Sequence, residues 1–349
     1  MTEKTERSKH DRDGTLAPEF PFVSEIEYAG KLAAAIGRMR LRTVGRLLAG
    51  GNVPPVPEAL YAYRLRNVFR DAELFRLLVT HGLDLSRTFG GYPALHLCLP
   101  DCLERAEWSL PPEAMALVFA RADVDARDCE GRTPLFRAAY LLGGDDPAEV
   151  PLELIRRGAD VNAADAAGDT PLHVCRNVTL MKALLERGAD TEARNRRGET
   201  PILASCCRDP QLLGLLIDRG ARLDVTDRNG RGPCHFWAYF NMRWHSEGAV
   251  RCLELLLKNG CSINAVDRSG ETPLHHLVRE MARLVGSPGF HPGYFDRDSI
   301  VANGLRLYGA ACRRGAAPAR RSRKGETPTE LWERLAGTPW PEPNSRWRA

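Results

Sequence analysis

One pattern constrains this chain more than any other. Gly168-Asp169-Thr170-Pro171-Leu172-His173 is a copy of it, and Gly131-Arg132-Thr133-Pro134-Leu135 precedes it. Gly198-Glu199-Thr200-Pro201-Ile202, Gly270-Glu271-Thr272-Pro273-Leu274-His275 and Gly325-Glu326-Thr327-Pro328 follow. Degenerate copies stand at Gly91-Tyr92-Pro93-Ala94-Leu95-His96 and Gly230-Arg231-Gly232-Pro233-Cys234-His235. Successive prolines at 93, 134, 171, 201, 233, 273 and 328 are 41, 37, 30, 32, 40 and 55 residues apart. Self-similarity at this period excludes a single compact core and demands stacked units.

The pattern reads as a helix start. Gly supplies the positive φ of a tight turn. Thr caps the first turn, and Pro follows at the first helical position, where its missing N–H costs nothing. A second marker precedes each copy: Arg157-Gly158-Ala159-Asp160, Arg187-Gly188-Ala189-Asp190, Arg219-Gly220-Ala221 and Lys258-Asn259-Gly260-Cys261. It reads as a helix end, with a cation at the negative pole and Gly in the left-handed closing position. Apolar stretches such as Leu180-Met181-Lys182-Ala183-Leu184-Leu185 lie between the markers.

These residues resemble the ankyrin repeat, two antiparallel helices and a turn in about 33 residues with a T-P-L-H-x-A core. The resemblance implies an all-α fold: an ankyrin-repeat solenoid of about eight helix-turn-helix units with a terminal half-unit. Residues 1–22 are polar and are expected to form a disordered arm. The repeat domain is expected over 23–336. Atypical units take 23–90 and clear ones 91–275. A Gly/Pro-rich loop insertion takes 285–297, the last units 298–336, and a Pro-rich tail 337–349. The short spacings of 30 and 32 predict trimmed helices.

Little in the chain points to chemistry. His96, His173, His235 and His275 hold one motif position on successive units, so they do not converge on one atom. The resemblance makes them structural hydrogen-bonding residues between turns. Cys98 and Cys102 with His96 lack a second pair at zinc-ligand spacing. Cys98 and Cys175 stand where the motif wants a small apolar residue and read as core. Cys206 and Cys207 are adjacent, awkward for a disulfide. No phosphate-cradling Gly loop, serine elbow or carboxylate pair is visible. The expectation is no catalysis, no cofactor and no metal.

Binding is the remaining role, and ankyrin arrays bind through turn tips and the inner, concave face. Arg196, Arg197, Arg228 and Arg268 fall on three adjacent tips, and their planar forks suit carboxylates. The aromatic run 236–244 adds Tyr239 and Trp244 as candidate contacts, although Trp237, Phe240 and Trp244 share a helix face as core residues do. The expected partner is another protein, with an acidic segment crossing the tips, and the chain itself a monomer. The basic run Arg313, Arg314, Arg320, Arg321, Arg323 and Lys324 sets the sign of the net charge, 49 basic against 45 acidic residues. It reads as a solvated loop, with nuclear import or a nucleic-acid contact as the alternative for a regulator of transcription. The resemblance further implies a hydroxylation candidate at Asn162, which has Asp160 and Val161 before it and Leu154 eight residues earlier. Other ankyrin roles are ubiquitin-ligase substrate adaptor, for which the Pro-rich tail is too short to hold a SOCS box or F-box, and pathogen-encoded effector. No apolar run approaches the ~20 residues of a membrane span, and no signal peptide is visible. The expected location is therefore intracellular, in cytoplasm, nucleus or both.

Overall fold

A computed structural model describes residues 25–38, 40–49, 66–69, 71–99, 110–144, 148–204, 209–243, 248–286 and 297–341. The N-terminal arm 1–22, most of the 285–297 insertion, Trp244, Cys102, the Cys206-Cys207 pair and the end of the tail lie outside them. The chain forms two compact units, Met1–Cys129 and Glu130–Ala349.

In the first unit, α1 (Glu25–Gly37) packs on α2 (Leu41–Ala49). Val44, Leu47 and Leu48 of α2 are buried at the i, i+3, i+4 spacing of one helix face. A single 3-10 turn (Arg66–Phe69) packs against α3 (Ala72–Thr80), where Asp71 caps the helix by accepting the Leu74 N–H at 2.7 Å. Phe69 lies against Phe75 and Phe89, with ring centroids 5.9 and 5.3 Å away. A two-residue hairpin, β1 (Thr88–Phe89) with β2 (Tyr92–Pro93), leads into α4 (Ala94–Cys98), and α5 (Pro112–Arg121) completes the unit. Here the motif proline is displaced. Pro93 is the N-cap residue of α4, in the place the other copies give to Thr, and Ala94 takes the first helical position three residues after Gly91, so the helix starts in register and only the proline has moved.

In the second unit the motif prolines open α6 (Pro134–Leu141), α8 (Pro171–Val174), α10 (Pro201–Ala204), α12 (Pro233–Arg243), α14 (Pro273–Val285) and α16 (Pro328–Ala336). Between them run α7 (Glu149–Arg156), α9 (Val178–Glu186), α11 (Pro210–Asp218), α13 (Gly248–Lys258) and α15 (Arg297–Arg313). Each helix of the first set touches the next of its set, and so does each of the second, giving an inner and an outer row in chain order. The short spacing from Pro171 to Pro201 goes with a trimmed helix, α8 having only 4 residues. The rows are joined by apolar layers. Leu180, Met181 and Leu184 of α9 and Leu212, Leu213 and Leu216 of α11 are almost wholly buried. Each such Leu contributes about 1.5–3 kcal/mol by leaving water. The structure departs from a purely helical one by β1–β2 and by a parallel two-residue pairing of β3 (Gly143–Gly144) with β4 (Arg176–Asn177).

Three of the motif histidines work as fasteners. His173 Nδ1 accepts the Thr170 N–H at 3.1 Å and lies 2.9 Å from Thr170 Oγ1, while Nε2 donates to the Glu199 carbonyl at 3.1 Å. His275 repeats this with Thr272 and the Glu326 carbonyl (2.9 Å). His235 does so with the Gly232 N–H and the Glu271 carbonyl, both at 3.1 Å. One ring nitrogen accepts and the other donates, which defines the neutral imidazole. Burial pushes all three below the ordinary histidine value, and His235, which also faces His276, falls to about 4. Where the motif lacks His, the helix start changes. Thr133 caps directly, its Oγ1 accepting the Phe136 N–H at 3.2 Å. Thr327 forms a capping box with Glu330. At Thr200 the histidine position is Leu203, and the buried Thr200 hydroxyl has no partner among the described residues.

A candidate interaction surface along the turn tips

The turns between repeats share one construction. Asp165, Asn195, Asp227 and Asp267 each turn the side chain back on the tip. In every case Oδ1 accepts the N–H groups two and four residues ahead, at 2.8–2.9 Å. Their own N–H groups close the loop on the carbonyl four residues ahead, at 2.9–3.0 Å. The motif glycine sits at the bend, with φ +74 at Gly131, +81 at Gly168, +77 at Gly198, +79 at Gly230, +72 at Gly270 and +78 at Gly325.

Neighbouring tips are tied into a ladder by one backbone hydrogen bond each. Ala166 donates to Glu130, Arg196 to Ala167, Arg228 to Arg197, Arg268 to Asn229 and Arg323 to Ser269, at 2.9–3.1 Å. The rungs bring the chain close to the preceding glycine. A Cβ on Gly270 would lie 2.9 Å from the Arg323 nitrogen and 2.9 Å from its Cγ. On Gly230 it would meet Arg268, and on Gly198 Arg228, at 3.1–3.2 Å. Glycine is thus required twice, for its φ and for this approach.

The ladder sorts the predicted arginines. Arg196, Arg228 and Arg268 hold equivalent places, two residues before the motif glycine. Arg323 holds the same place in the last tip. The basic run is therefore not one separate loop. Arg313 ends α15, Arg314 pairs with Glu254, Arg320 donates to the Asn264 carbonyl at 3.0 Å, and Arg321 pairs with Glu330 at 2.7 Å. Only Arg323 and Lys324 join the tip row. Arg197 belongs to the next position along, where its neighbours are Asn229 and Ser269, and it is held by Glu199 at 2.8 Å. Arg196, Arg228, Arg268, Arg323 and Lys324 are exposed, and their charged groups make no hydrogen bond or ion pair with a described residue. The signal that separates Arg196 from Arg197 is present in the sequence, as the fixed distance to the motif glycine.

Beside the last tips an open depression of about 480 Å³ is lined by Asp267, Glu271, His276, Arg268, Arg323 and Lys324, among others. The possible ligand atoms of Asp267, Glu271 and His276 lie within 4.8 Å of one another. All three are occupied by the fold itself. Asp267 closes its turn and holds His276 Nε2 at 2.9 Å, and Glu271 pairs with Arg279. Burial alone would raise the Asp267 carboxyl, but the His276 and backbone N–H bonds outweigh it and hold it at about 2.

Tyr239 is half-buried, its ring 5.3 Å from Phe240, while Trp237 is fully buried and donates to the Ala249 carbonyl at 2.7 Å. Asn162 is exposed. Its side-chain amide bridges to the next repeat, donating to the Gly188 carbonyl (3.2 Å) and accepting the Asp190 N–H (2.8 Å). Cys98, Cys175, Cys234 and Cys252 are buried.

Among families of known proteins, the one described as Ankyrin repeat matches residues 167–196. That segment runs from one tip through α8 and α9 to the next, so the chain carries an ankyrin repeat there. Ankyrin repeats serve in protein–protein interaction in general and are generally non-catalytic modules. A search of curated proteins found no match to the chain. Among the described residues, no helix is long and apolar enough to cross a membrane.

Proposed function

We propose that this chain is a non-catalytic adaptor, a solenoid of about eight units that holds a partner protein along its turn tips and the adjoining inner helices. One observation carries the reading. Four consecutive tips present an exposed arginine whose charged group makes no hydrogen bond or ion pair with a described residue. Long side chains cost entropy to fix and arginine dominates binding hot spots, so an unengaged row suits a partner better than it suits stability. The partner is an acidic segment of another protein, drawn in electrostatically and released by salt.

Affinity capture with quantitative mass spectrometry tests this. Arg228→Glu with Arg268→Glu should lose the proteins captured by the wild type. Lys182→Glu with Arg251→Glu makes the same charge change on exposed faces of the outer helices α9 and α13 and should retain them. Equal loss in both variants would move the binding surface off the tips.

A further inference from the structure

The tips form a ruler, and its pitch selects what can lie along it. Arg196, Arg228, Arg268 and Arg323 occupy equivalent rungs, so they recur at the spacing of the inner helices beneath them. Packed helices lie about 8–10 Å apart, so three steps span roughly 24–30 Å. Arg228, Arg268 and Arg323 run their stems close over the preceding glycine, within reach of a Cβ placed there. Their heads are thereby launched from equivalent points.

We propose that the ligand of this row is an acidic segment in polyproline II conformation carrying a carboxylate at every third residue. This rests on the adaptor reading above and specifies its partner. A polyproline II helix has three residues per turn and rises about 3.1 Å per residue, so every third side chain lies on one face, about 9.3 Å from the last. Four carboxylates at i, i+3, i+6 and i+9 then span about 28 Å, inside the interval set by the tips. A β-strand fails the match, because same-face residues recur at about 6.6 Å and every third residue changes face. An α-helix repeats a face at seven residues, about 10.5 Å, so presenting four carboxylates takes roughly 22 ordered helical residues, against about ten in polyproline II. The preformed polyproline II backbone also loses little entropy on docking.

The test is fluorescence anisotropy with the full chain and two labelled peptides of one composition, at about 0.15 M salt. One is four repeats of Glu-Pro-Pro. The other has four contiguous glutamates followed by eight prolines. The periodic peptide should bind at least about tenfold more tightly, and Arg228→Ala with Arg268→Ala should abolish the difference. Equal affinities would overturn the spacing, and so would failure of the periodic peptide to bind. In either case loss of captured proteins on tip reversal would still support an adaptor. Tighter binding of a twelve-nucleotide single-stranded DNA than of the periodic peptide would overturn the proposal in favour of nucleic acid.

Discussion

The tip at 165–169 and the four that follow the rung after it have the same backbone and different side chains. Ala166 donates its rung to Glu130 at 2.9 Å, and Arg196, Arg228, Arg268 and Arg323 donate theirs within 0.2 Å of that length. An alanine therefore satisfies everything the ladder asks of the position. What the later tips add is charge, length and entropy, and among the described residues none of the charge is used in a hydrogen bond or ion pair. The fold resides in the turn Asp and Asn side chains, the glycines and the backbone, and on the proposed reading the arginines are left for a partner. Arg197 shows the opposite case one residue away. Its guanidinium is spent on the buried Glu199, which would otherwise lack a counter-charge.

The comparison is broken most severely at the glycine. Gly270→Val combines a positive φ with a side chain 2.9 Å from the next rung. It should destabilise the protein by about 3 kcal/mol, whereas Arg323→Ala should stay within about 0.5 kcal/mol. Urea unfolding of the pair reads this directly, and similar midpoints would mean that the ladder is not held as described.

Acid should loosen the same turns next. His235 is neutral in the fold with a value of about 4, against about 6.5 in the unfolded chain. Below pH 6.5 the unfolded state binds the proton first, so stability is full above that pH and falls as pH drops towards 4. The slope is at most roughly 1.4 kcal/mol per pH unit for one proton. His235→Gln should flatten the decline in a pH series of urea midpoints. Asp267 titrates lower, its stabilisation being lost between about 3.8 and about 2, so the two are separable. A decline unchanged in His235→Gln would assign the acid sensitivity elsewhere.

On the binding side, Arg228→Glu with Arg268→Glu should weaken the partner by more than about tenfold, roughly 1.4 kcal/mol. Arg197→Glu should disturb stability as well, because it leaves Glu199 buried beside a second acid. A titration in which Arg197→Glu alone lowers affinity, with no shift in melting, would place that residue in the interface after all.

The smallest effect sharpens a second contrast, between repeats that keep the histidine and the one that does not. Leu203→His should supply an acceptor for the Thr200 N–H and a donor to the next turn. The gain should be about 1 kcal/mol, seen as a raised urea midpoint. A lowered midpoint would show that the site cannot take the ring.

How much of this was legible in sequence follows from the range of each interaction. Helix starts at Pro134, Pro171, Pro201, Pro273 and Pro328 were readable because cap, proline and glycine act within a few residues. The resemblance also gave the histidines their role, since the motif carries it. The copy at Gly91 keeps its frame, but Pro93 stands in the threonine's place, and a lone proline does not reveal whether it caps or opens a helix. The choice between Arg196 and Arg197 was legible in the fixed distance of Arg196 from Gly198, although the ion pair that engages Arg197 with Glu199 is visible only in the structure. The place of Arg323 depended on its rung to Ser269, a contact between repeats that composition hides behind an apparent basic run.

The most direct measurement is the partner affinity of Arg196→Ala, Arg228→Ala, Arg268→Ala and Arg323→Ala combined, on samples whose urea midpoint is recorded alongside. Because alanine already serves at Ala166, the midpoint should match the wild type while affinity falls by at least about tenfold. Wild-type affinity, or a midpoint that drops in step with binding, would contradict the claim that the tip arginines serve recognition and not the fold.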